Sequence, residues 1–279
     1  MAVADPKAEW KSDLWGRMNK APDPASVIRT LDGFAEMEGL TAARNALFGD
    51  LCLQAGHHVL EAGCGPGTAL PALLERVGPA GRVVGVDPTT AFIVEAQRRA
   101  AAWGVANAEY REGDIREIPY PDGTFDATFC DKVLIHVGPT QQALREMARV
   151  AKPGGRVGAL EWDLCALSLN SDEPELTAKL IDLGCKMQHR GWAGRALKDE
   201  FRAAGLRDIR FRPYLAHTTD LDTGAGWRWL LKNRADRAVA KEVVDEATAR
   251  RWLEHFEAMN RRGAFCCTII VYTCAGTRP

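Results

Sequence analysis

Between Val59 and Leu74 the chain reads VLEAGCGPGTALPALL, with glycine at positions 63, 65 and 67 behind the acidic Glu61. Glycine at this density lets a ligand approach the backbone, and a strand, a Gly-rich turn and a helix start together aim N–H groups at it. Gly63 and Gly65 fill the first two places of the dinucleotide fingerprint GxGxxG, but Thr68 stands in the third, so the spacing is GxGxG and a nicotinamide reading is weakened. About 20 residues further on, VVGVDP ends in Asp87, suited to hold both hydroxyls of a ribose or, alternatively, to cap a helix beginning near Thr89 or Thr90. Asp114 follows a third apolar run and Asp131 ends a fourth. Acidic groups after three successive strands suit a nucleoside whose ribose, adenine amine and amino-bearing tail meet one sheet edge.

The elements that position these residues follow from periodicity. HHVLEA, RVVGVD, AEYREGD, FDATFCD and GRVGALEWD are short apolar or β-branched runs, and TALPALLERV, TAFIVEAQRRAAAWG and TQQALREMARVA between them are amphipathic. Such alternation predicts βαβ units and a parallel sheet with helices on both faces. Two helices precede the first strand, with Asp23, followed by Pro24, and Thr41 standing where N-caps belong. In the last third, a helix through GRALKDEFRAAGL leads into the strand RDIRFRPYL. A mainly helical insertion rich in tryptophan then separates it from the strand CCTIIVYTC. The expected organisation is an N-terminal helical lid over 1–56, a core over 57–220 and 261–279, and a helical cap over 221–260.

With VLEAGCGPG, VVGVDPT, GDIREIPYPDGTFD, DKVLIHV and ARVAKPGGRV in order and correctly spaced across roughly 57–160, the chain resembles class I S-adenosylmethionine-dependent methyltransferases. The resemblance is to the ubiquinone/menaquinone-biosynthesis-type small-molecule enzymes. It implies an α/β fold: a seven-stranded, mostly parallel, doubly wound sheet (the Rossmann-like methyltransferase fold), with N-terminal helices and a helical insertion before an antiparallel last strand. It also implies S-adenosyl-L-methionine as cofactor. Glu61, Ala62, Gly63 and Gly65 would surround its methionine part. Asp87 would bind the ribose, with Pro88 and Thr89 beside the adenosine. Asp114 would face the adenine amine with Ile115 on the ring, and Asp131 and Lys132 would lie near the sulfur. CDKV after the fourth strand is unlike the Asn/Asp-Pro-Pro-aromatic motif of base and protein-amide methyltransferases.

A methyl transfer needs the nucleophile aligned and water excluded, and a base only when a proton must leave. Ligands of open α/β sheets sit beyond the strands' carboxyl ends, which makes His136, after the fourth strand, and Glu161 and Asp163, after the fifth, the placed candidates, with His136 and Glu161 taken as catalytic. The imidazole is favoured for titrating near neutrality, with a packing or capping role as the alternative for each. Trp10, Trp15, Trp192, Trp227 and Trp229 are expected to line the acceptor pocket or else pack helices. Arg190 and Arg195 would bind an acidic acceptor or form surface pairs.

The 279 residues, 46% hydrophobic and 26% charged, suit one sizeable globular domain. Lys and Arg (36) balance Asp and Glu (37), so no field collects nucleic acid. No run reaches membrane-span length and no apolar leader opens the chain, so a cytoplasmic enzyme without membrane association is expected. The eight cysteines lack zinc-site spacing and are expected to be buried free thiols, with no metal bound. A small-molecule acceptor, aromatic or apolar and from specialised metabolism, is the expected partner. The rival readings are an NAD-dependent oxidoreductase and a non-catalytic nucleotide-binding scaffold.

Overall fold

The computed structural model describes residues 23–279 apart from His189 and Gly224. Five strands run parallel: β1 (His58–Ala62), β2 (Arg82–Asp87), β3 (Ala108–Glu112), β4 (Phe125–Asp131) and β5 (Ala151–Leu169). Together with β6 (Arg207–Thr218) and β7 (Cys267–Thr277) they form one seven-stranded sheet in the order β3-β2-β1-β4-β5-β7-β6. The last strand, β7, is antiparallel to both β5 and β6. This is the doubly wound sheet with an antiparallel last strand that the resemblance implied, and the order reverses between β1 and β4, where ligands of such sheets bind.

A central parallel strand is buried on both faces and therefore reads as a continuous apolar run, as in Val83, Val84 and Val86 of β2. On one face, helices α2 (Glu38–Asp50), α3 (Leu70–Val77) and α4 (Thr90–Ala102) bury Leu47, Phe48, Leu73 and Ile93 against Val59, Val83 and Phe129. Phe48 meets Phe129 edge-on at 5.1 Å, worth about 1 kcal/mol beyond burial. On the other face, α5 (Thr140–Val150) and α7 (Ala193–Ala203) bury Leu144, Met147, Leu197 and Phe201 against Leu60, Val84 and Phe125. Each such fully buried side chain contributes roughly 1.5–3 kcal/mol.

Above the strands' carboxyl ends lie α1 (Pro24–Ala35), α6 (Pro174–Lys186), α8 (Ala225–Ala240) and α9 (Glu246–Arg261). Helix α8 packs on α1, α6 and α9. Asp23 caps α1, accepting from the Ser26 N–H at 3.1 Å, with Pro24 in the first turn. Thr41 is not a cap. Helix α2 begins three residues earlier, at Glu38, and the Thr41 hydroxyl donates back to Ala35 O at 3.1 Å, tying the two helices together. Helix α6 escapes the sequence reading, and β5 runs on to Leu169, well past the expected end at Asp163.

The thiol expectation also changes. Cys165 on the extension of β5 is disulfide-bonded to Cys185 at the end of α6, leaving Cys52, Cys64, Cys130, Cys266, Cys267 and Cys274 free. Among the described residues no cluster could hold a metal ion, and no helix is long and apolar enough to cross a membrane.

Candidate active site

The turn from β1 into α3 is stitched to the neighbouring strand, because the N–H groups of Gly63 and Cys64 both donate to Val86 O, at 2.7 and 3.0 Å. All three of its glycines have positive φ. Gly63 is needed for packing, since a Cβ there would stand 2.4 Å from Val133 Cγ2. Around Gly65 the nearest atom of the described residues to such a Cβ is Leu31 Cδ1 of α1, at 3.9 Å, so these residues leave room over it.

Asp87 is buried at the end of β2 and accepts from the N–H of Gly65 at 3.0 Å and of Thr89 at 2.9 Å. Burial raises its pKa, and the two N–H groups pull it back. It therefore both steadies the glycine turn and satisfies the start of α4, where Thr89 is the buried N-cap and Pro88 is exposed. Asp114 accepts from the N–H and the guanidinium of Arg116, which outweigh its desolvation and hold its carboxyl below the usual range. Ile115 beside it is buried.

The carboxyl ends of β1 and β4 and the middle of β5, which is level with them, bring Glu61, Asp131 and Glu161 together. Burial would raise Asp131, but Arg44 from α2 and the neighbouring Lys132 overcome it and bring its pKa down to about 2. Lys132, at positive φ, donates its N–H to Leu160 O, and burial lowers its pKa despite Asp131. For Glu61, burial first and the charge of Asp131 second push the pKa up to about 8, and its Oε2 has no hydrogen-bond partner among the described residues. Glu161, 0% exposed, accepts from the Leu134 N–H through Oε1 at 2.5 Å, while its Oε2 makes no hydrogen bond to the described residues. Burial lifts it too to about 8, against the pull of that N–H.

Glu161 thus caps the short 3-10 turn Leu134–His136 that carries the imidazole. The sequence argument for His136 does not hold in this setting. Dense packing first, and the charge of Arg237 second, bring its pKa down to about 3, so the imidazole stays neutral. The groups that titrate nearest neutrality are the two glutamates.

The tryptophans separate. Trp10 and Trp15 lie outside the described residues. Trp192, 44% exposed at the N-cap of α7, faces solvent, and Trp227 is buried in the core with α8. Trp229 joins an aromatic cluster around Phe34 of α1, whose ring meets Trp162 of β5 at 5.3 Å and Trp229 of α8 at 5.5 Å, both edge-on. Arg190 is paired with Glu200, and Arg195 with Asp163. Sequence reasoning misses Arg44, Phe34 and Trp162. Only the helical spacing of α1 and α2 hints at the first two, and β-strand alternation conceals the third.

Room over Gly65, an oriented carboxylate at Asp87 and a buried Glu61 oxygen without a hydrogen-bond partner among the described residues form a site suited to a ligand with a nucleoside at one end and positive charge at the other. With the seven-stranded sheet, these features define a class I S-adenosylmethionine-dependent methyltransferase, and the chain belongs to that family. The family profile described as "Methyltransferase domain" matches residues 59–155. The chain is 32% identical to an uncharacterized 37.1 kDa protein in transposon TN4556 of Streptomyces fradiae, over 93% of this chain and 73% of that protein. It is 38% identical to a demethylmenaquinone methyltransferase of Shouchella clausii, over 58% of this chain and 75% of the relative. The crystal structure of a putative methyltransferase from Bacillus halodurans shares the fold, with a TM-score of 0.58 at 17% identity over 84% of this chain and 98% of that one. The cofactor is S-adenosylmethionine.

Proposed function

We propose that this methyltransferase acts on a small metabolite with an aromatic or apolar body, in specialised metabolism, beneath a cap made by residues 1–56 and 221–260. The observation that carries the reading is the cluster of Phe34, Trp162 and Trp229, contributed by three separate elements, α1, β5 and α8. Aromatic clusters of this kind suit apolar acceptors and also favour cations.

S-adenosylmethionine brings a methyl group already activated on a sulfonium. The chain's task is to bind, orient and exclude water. Gly63 and Gly65 expose backbone to the methionine part, with Glu61 and Ala62 beneath. Asp87 takes the ribose hydroxyls, with Pro88 and Thr89 alongside. Asp114 and Ile115 take the adenine. Asp131 and Lys132 act near the sulfur, with the Asp131 carboxylate shared between Lys132 and Arg44. Glu161 is the group placed to accept an acceptor proton, its Oε2 free and its pKa about 8. His136, held neutral, offers the acceptor a hydrogen bond without titrating.

The test is an acceptor screen with labelled methyl donor on aromatic and aliphatic metabolites, followed by pH–rate profiles. His136→Ala should lower turnover while keeping S-adenosylhomocysteine affinity, and Glu161→Gln should remove a limb near pH 8. A limb that survives in Glu161→Gln rejects the glutamate as base.

A further inference from the structure

Helix α8 carries two arginines drawn into the protein without an ion pair among the described residues. Arg234 is 3% exposed. Its Nη1 donates to Leu230 O of its own helix at 3.1 Å, while Nε and Nη2 have no hydrogen-bond partner among the described residues. Helix α6 gives up a side chain to admit it, since a Cβ on Gly184 would stand 3.1 Å from both Cγ and Nε of Arg234. Three residues along α8, Arg237 is half-buried, and its charge acts on both Arg234 and His136.

Arg234, Arg237 and His136 therefore converge between α8 and the turn after β4, beside α6, on the carboxyl side of the sheet. No carboxylate among the described residues lies within ion-pair distance of either arginine. The acids on neighbouring elements are engaged elsewhere: Asp236 with Lys232, Glu200 with Arg190, Asp182 with Lys186. The thiol of Cys267 near Arg234 is pushed by burial up to about 12, so it supplies no anion. A guanidinium stripped of water with two nitrogens unanswered is strongly unfavourable unless an anion arrives to meet it, and planar, five-donor arginine is the side chain that matches carboxylate or phosphate.

We propose that Arg234 and Arg237 bind an anionic group, a carboxylate or a phosphate, carried by the methyl acceptor, with the neutral His136 beside it. This rests on the small-molecule methyltransferase reading and narrows it. The acceptor has an apolar or aromatic body against Phe34, Trp162 and Trp229 and a negative group about the middle of α8, which contributes to both surfaces.

The experiment uses the S-adenosylhomocysteine-loaded protein, titrated by calorimetry and thermal shift with benzoate, phenyl phosphate and the neutral benzamide. At least one anion should raise Tm and bind with an affinity that falls with ionic strength, while benzamide should do neither. Which anion responds separates carboxylate from phosphate. Arg234→Met and the more exposed Arg237→Met should each weaken that anion tenfold or more with S-adenosylhomocysteine affinity unchanged. Ligand-free Arg234→Met should melt above the parent, because an unpaired buried charge has been removed. The proposal is overturned if neither anion binds the parent, if both variants bind it as the parent does, or if Arg234→Met melts lower. In those cases intact S-adenosylhomocysteine binding leaves the methyltransferase reading standing. Failure of the parent to bind S-adenosylhomocysteine at all would instead remove the reading on which the proposal rests.

Discussion

The guanidinium of Arg44 on α2 closes on Asp131 at the end of β4, Nη2 to Oδ2 at 2.7 Å and Nε to Oδ2 at 2.8 Å, with side-chain exposures of only 8% and 6%. At that depth the two charges depend on each other. Removing Asp131 leaves both Arg44 and Lys132 buried without compensation, a loss of about 3–5 kcal/mol. Asp131→Asn should destabilise on that scale in urea denaturation, and Arg44→Met by less, because Asp131 keeps Lys132. A loss below about 1 kcal/mol in Asp131→Asn would show the cluster behaving as if solvated.

Glu61 and Glu161, with pKa values raised to about 8 from 4.5, favour folding most when protonated, so their contribution is present at low pH and is lost as pH rises toward 8. His136 acts in the opposite direction, with its pKa lowered from 6.5 to about 3, and costs stability only below about pH 6.5. Asp131, depressed to about 2, matters only below the ordinary carboxylate range. Between pH 6.5 and 8 the glutamates act without these two groups. Stability of the ligand-free protein should fall across that window, and the slope should flatten in Glu61→Gln and in Glu161→Gln. A slope unaltered by both substitutions would mean that the carboxyls are already ionised.

Binding of the positively charged cofactor beside Glu61 should favour its ionised form. Calorimetry of S-adenosylmethionine at pH 7 in buffers of different ionisation enthalpy should therefore show proton release, and the release should shrink in Glu61→Gln. Equal release in the parent and the variant would place the proton elsewhere.

Asp87→Ala should weaken S-adenosylhomocysteine by about 1–3 kcal/mol, the scale of hydrogen bonds to a charged group. It should also loosen the glycine turn, because Gly65 loses its acceptor. Unchanged affinity would place the ribose away from β2.

The Cys165–Cys185 bridge, spanning 20 residues, predicts that six thiols react in denaturant without reductant and eight after reduction. Closing a loop of that length contributes about 3 kcal/mol, so Cys165→Ser should lower Tm. Eight reactive thiols before reduction would remove the bridge from the protein as prepared.

What the sequence determined by itself was whatever is encoded within a few consecutive residues. The strand, glycine turn and helix around Gly63 and Gly65, the acidic strand end at Asp87, the Asp23 cap and the alternation that builds a doubly wound sheet are all local. Each depends on backbone conformation or on a hydrogen bond to a near neighbour. The start of α2 was misjudged because the Thr41 hydroxyl, an apparent cap, is instead used by Ala35 O across the turn from α1. The tertiary structure alone decided which distant residues meet: Arg44 with Asp131, Phe34 with Trp162 and Trp229, Cys165 with Cys185, Arg237 with His136. It also reversed the titration order expected of the catalytic candidates. A proton's affinity for a side chain is set by how much water packing removes and which charges it brings near, and neither is written in the residue's own neighbourhood of the sequence.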